Sequence, residues 1–96
     1  MIKVVKNKNV IMLSGHAGSN IYGKDIVCAS VSSIVYTTIN AIARIRKSAL
    51  LVEDKEDLTI KVIENDEIVD ALIDNMMELL KAVSKDYPKN INVKES

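Results

Sequence analysis

The chain alternates before it does anything else. Ile2-Lys3-Val4-Val5-Lys6 sets apolar against basic positions, Asn7-Lys8-Asn9 supplies a turn, and Val10 to Leu13 follows as a second β-prone run. This predicts an opening hairpin. Ser14 to Asn20 is the longest small and polar stretch, a loop that leaves the second strand and closes at Gly23. The pattern then changes period. Val27, Val31, Ile34, Val35, Thr38, Ile42 and Ile45 recur at steps of three and four, so a helix is expected with Asp25 as its N-cap. Leu50–Val52 and Leu58–Ile63 read as two further strands around a turn at 53–57. Asp66-Glu67 opens a second helix with Val69, Leu72, Ile73, Met76, Leu80, Val83 and Tyr87 on its inner face, and Pro88 ends it. Residues 90–94 alternate as a short last strand. The order β-β-α-β-β-α-β predicts an α+β fold. It is a two-layer sandwich with a mostly antiparallel sheet and two helices on one face, part of whose apolar surface is left for a second subunit.

Composition narrows this to a single domain over residues 1–96. The chain is 48% hydrophobic with no Trp or Phe, so the core is aliphatic. The net charge is zero, which argues against a strongly basic nucleic-acid binder. The balance hides an asymmetry: residues 1–48 carry seven Lys/Arg against one acid, Asp25, whereas residues 49–96 carry six Lys against twelve acids. Such halves attract one another within a fold or between subunits.

The single cysteine excludes an intrachain disulfide and suits a reducing compartment, and one Cys with one His makes a structural zinc site unexpected. No signal-peptide core follows Met1. Residues 26–43 are uncharged, but Ser30, Ser32, Ser33, Thr37, Thr38 and Asn40 interrupt the run, so a buried helix is expected rather than a membrane span.

The candidate chemistry sits around the loop. With Asp25 as cap, Cys28 falls in the first helical turn, where unpaired amides and the dipole favour an anion. His16, where the loop begins, is the one imidazole available as a base, and a thiolate beside an imidazole is a workable nucleophile and base pair. Equally, a lone Cys in an apolar helix serves as a small hydrophobe, and a lone His at a loop edge as a surface residue. Ser32 lies one turn beyond Cys28 on the same face, placed either near the thiolate or to bond back to the helix. Asp25 is explained by capping and also stands where it would orient His16.

The run Gly15-His16-Ala17 through Gly23, Asp25-Ile26-Val27-Cys28-Ala29 and Ser32 resembles the ribosomal-processing cysteine protease family, Prp. That family's signature is GHA, a short loop, G-x-DIVCA and a Ser four after the Cys. The resemblance implies a cytoplasmic, homodimeric cysteine endopeptidase. Its reaction removes the N-terminal extension of large-subunit ribosomal protein twenty-seven and needs no cofactor or metal. Carried over, Cys28 is the nucleophile, His16 the general base, and Asp25 and Ser32 supporting residues. Gly15, Ala17, Gly18 and Gly23 belong to a substrate loop expected to order when peptide binds. Neither a membrane nor direct nucleic-acid binding is expected. The chain departs from the pattern in its short 53–57 connection and in Ser30, where Ala or Gly is commoner. A non-enzymatic ribosome- or RNA-associated module and a thiol redox sensor are the competing classes. The first lacks aromatic stacking residues and the second a resolving cysteine.

Overall fold

The computed structural model describes residues 1–15 and 24–96, with side chains over 1–15 and 26–96. In chain order the elements are β1 (Ile2–Asn7), β2 (Val10–Ser14), α1 (Lys24–Ile45), β3 (Leu50–Asp54), β4 (Leu58–Val62), α2 (Glu67–Asp86) and β5 (Ile91–Glu95). The strands form one sheet in the order β3-β4-β2-β1-β5. Three of its four pairings are antiparallel; β5 alone runs parallel, beside β1, with Val4 opposite Val93. The expected α+β sandwich is therefore observed.

Strand alternation decides which face is covered. Ile2, Val4, Ile11, Leu13, Leu58, Ile60, Val62 and Ile91 are buried, while their neighbours Lys3, Val5, Met12 and Lys61 point outward. The buried side chains join Val27, Val31, Val35 and Ile42 of α1 and Val69, Ile73, Met76, Met77 and Leu80 of α2 in one cluster. Both helices thus cover the same sheet face. By length and composition alone, Ile26–Ile45 is apolar enough to cross a membrane. In the fold its stripe from Val27 to Ile42 is core, and Ser32, Ser33, Thr37 and Asn40 are exposed. Buried Thr38 satisfies its hydroxyl by donating to the Ile34 carbonyl at 2.8 Å.

Several expectations need correction. Ile45 and Tyr87, assigned to inner faces, are exposed, because each sits where its helix ends and the stripe runs past the partner layer. Met77 is buried beside Met76, widening the α2 stripe. β3 continues through Glu53 to Asp54, which pair with Thr59 and Leu58, so the hairpin loop shrinks to residues 55–57. Backbone pairing overrides the low β-propensity of the two acids there. At the first hairpin, Asn7 pairs with Val10, and Lys8 takes φ +55, as a two-residue turn demands of its first position.

The charge asymmetry is partly consumed inside the fold. Arg46 pairs with Asp66 at 2.7 Å and Lys6 with Glu95 at 3.9 Å, each joining the basic first half to the acidic second. Lys81 adds a 2.7 Å contact to the same Glu95, fastening α2 to β5, and holds that carboxyl below its ordinary range.

Candidate active site

The end of β2 aims the chain into the candidate site. Gly15 follows Ser14 with φ +77, and a Cβ added there would collide with the Met1 backbone carbonyl oxygen. The left-handed conformation and the close approach both require glycine, which fixes the backbone at the residue that follows β2. His16, Ala17, Gly18 and Gly23 lie outside the described residues, as does the rest of the substrate loop beyond Gly15.

On the far side of that loop α1 begins at Lys24. Asp25 is consequently the second helical residue rather than the cap, and Cys28 is the fifth rather than the third. The boundary moves because an acid is favourable within the first turn as well as at the cap, beside the dipole's positive end. In a helix starting at Lys24, the Cys28 amide is within the i→i−4 ladder, bonded to the Lys24 carbonyl. The described amides left over for an external acceptor are those of residues 24, 25 and 26. The Asp25 side chain is outside the described set.

Cys28 is half-buried and packs against the core cluster, and Ser32 one turn later is exposed. The thiol therefore sits at the seam between packed interior and surface. A nucleophile in that position is held in place by packing while remaining reachable from one side.

Beside Ser32 a cleft of about 90 Å³ opens between α1 and the end of the sheet. Its floor is Ile2, Leu13 and Leu58, and Val31 and Val35 form the helical wall. The rim is polar: the Tyr36 hydroxyl donates to Asp54 Oδ2 at 3.0 Å, bridging α1 to the last residue of β3. Partial burial, then the Asp54 carboxylate, push the Tyr36 phenol above its ordinary pKa. Tyr36 follows Cys28 and Ser32 at successive steps of four, a same-face spacing the sequence displays and the motif reading passed over. Nothing in the sequence marks Asp54, because it reaches Tyr36 only through the unexpected extension of β3. A roomier polar cleft of about 330 Å³, lined by Lys6, Asn9, Asn65 and Asp74 among others, shares none of the described residues with this one.

The family model for cysteine protease Prp matches residues 1–92. The ribosomal processing cysteine protease Prp of Mycoplasma genitalium is 30% identical over 98 aligned positions, covering 99% of this chain and 96% of its own length. The Prp of Bacillus subtilis is 29% identical over 89 positions, 84% of this chain and 80% of its own. In structure, Staphylococcus aureus Prp in complex with a substrate peptide superposes with a TM-score of 0.86 at 20% identity, covering 99% of this chain and 97% of that one. A Streptococcus mutans protein of 27% identity superposes equally well, over 98% of this chain and 90% of its own. The match takes in the block around Cys28, both helices and the sheet as far as the start of β5, and it makes this chain a member of the cysteine protease Prp family.

Proposed function

We propose that this chain is the endopeptidase that removes the N-terminal extension of large-subunit ribosomal protein twenty-seven, acting in the cytoplasm as a homodimer. Cys28 is the nucleophile and His16 its base. The observation that carries the reading is the seat of Cys28: a half-buried thiol in the fifth position of α1, inside a family match spanning residues 1–92. The Mycoplasma and Bacillus relatives are ribosomal processing cysteine proteases by name, which supports the substrate class.

In the reaction His16 takes the Cys28 proton and the sulfur attacks the peptide carbonyl. The amides of residues 24–26, which have no partner inside α1, are described donors open to the oxyanion. His16 returns the proton to the leaving amine, and water hydrolyses the thioester. Asp25 and Ser32 support the pair, and Gly15, whose backbone passes too close to Met1 to admit a Cβ, anchors one end of the substrate loop. The reading needs no cofactor.

The test is intact mass of the host's extended ribosomal protein after incubation with wild type, Cys28→Ala and His16→Ala. One shortened product from the wild type alone supports the proposal. No cleavage by folded wild type, or cleavage surviving Cys28→Ala, defeats it.

A further inference from the structure

We infer that the cleft beside Ser32 is a specificity pocket that takes one aliphatic substrate side chain two to four residues from the scissile bond, with Tyr36 setting its size. The inference rests on the proteolytic reading with Cys28 as nucleophile, and it names what that site selects.

Position comes from the helix. Ser32, Val35 and Tyr36 follow Cys28 by four to eight residues, which at about 1.5 Å rise each is roughly 6–12 Å along α1. An extended peptide advances about 3.3 Å per residue, so a substrate running along the helix from the sulfur brings its second to fourth neighbour over the cleft. Chemistry comes from the walls, which are aliphatic. Asp54, the one charged group among the described residues at the rim, already accepts from Tyr36. Size comes from the volume: about 90 Å³ is well short of the roughly 150 Å³ apolar cavity that admits a benzene ring. A branched aliphatic side chain fits where an aromatic one does not. Ile2, Leu13, Val31, Val35 and Leu58 are all core residues, so these surfaces are fixed before substrate arrives. Tyr36, 41% exposed, is the wall that can yield.

The test uses peptides spanning the cleavage site of the extended ribosomal protein, varied one position at a time to Ala, Leu, Phe, Lys and Asp. They are assayed with wild type, Tyr36→Phe and Tyr36→Ala. One position two to four residues from the cut should prefer Leu over Ala by about tenfold to hundredfold in kcat/KM, carried mainly by KM. Phe should become acceptable there, and only there, in Tyr36→Ala, while Tyr36→Phe keeps the wild-type size preference. As a readout independent of turnover, and of how Tyr36→Ala folds, uncleaved peptide added to Cys28→Ala should shift the methyl resonances of Leu13, Val31, Val35 and Leu58. Cleavage by wild type with the same profile in Tyr36→Ala, a preference for Phe or Lys at that position, or unmoved methyls would overturn the pocket and leave the protease standing. No cleavage by wild type brings down the proteolytic reading and the pocket together.

Discussion

Arg46 and Asp66 close the molecule where α1 ends and α2 begins: the guanidinium Nε lies 2.7 Å from one carboxylate oxygen of Asp66, while the other caps α2 by accepting from the Val69 amide at 2.8 Å. One side chain thus starts the second helix and ties it to the first. The Val69 amide first, and Arg46 after it, hold the Asp66 carboxyl below its ordinary range. A folded-state pKa below the unfolded one contributes stability that is present above the unfolded value and lost as pH falls through the folded one. Stability should therefore decline below about pH 4, where ordinary aspartates protonate. Asp66→Asn, which still caps but does not titrate, should give a shallower acid limb in thermal melts against pH. An unchanged slope would remove Asp66 from that limb.

Gly15→Ala should be among the most damaging single-methyl changes in the chain. It forces a side chain into φ +77, at about 1–2 kcal/mol, and drives its Cβ against the Met1 carbonyl. A Tm drop of roughly 8 °C or more is expected for a domain of this size. A shift of only a degree or two would mean that the path out of β2 is not fixed there.

The opposite result is expected at Lys8. Its left-handed φ of +55 is strained for any side chain, so Lys8→Gly should raise stability by about 0.5–1 kcal/mol, read as a higher denaturant midpoint at constant slope. A lower midpoint would show that the lysine side chain contributes more than its backbone costs.

Much of this frame is legible in the residues. Period-two alternation marks β1 and β2, and steps of three and four mark both helices, because a face buried against one layer imposes one period on each element. What escaped depends on partners distant in the chain. The acids Glu53 and Asp54 look like a turn until β4 pairs with them, and the parallel seating of β5 against β1 has no local signature. At the candidate site, motif and spacing single out Cys28 and Ser32. Tyr36 shares that spacing but acquires a meaning only when Asp54 arrives from the sheet to meet it.

Ser32→Ala separates fold from chemistry. Ser32 is exposed on a helix, and alanine is the better helix former by about half a kcal/mol, so the variant should melt no lower than wild type. On the proposed supporting role, loss of the Ser32 hydroxyl should still cost roughly tenfold in turnover. Equal turnover would reduce Ser32 to a helix-surface residue.

The account's central claim is covalent catalysis at Cys28. Its most direct measurement is the mass of the chain itself after mixing with excess extended substrate and quenching in acid within the first turnover. The account predicts a transient adduct of the extension's mass less one water, joined as a thioester, mapped by peptide digestion to Cys28 and failing to accumulate in His16→Ala. Processing of the substrate with no such adduct at any time, or an adduct on another residue, would contradict it.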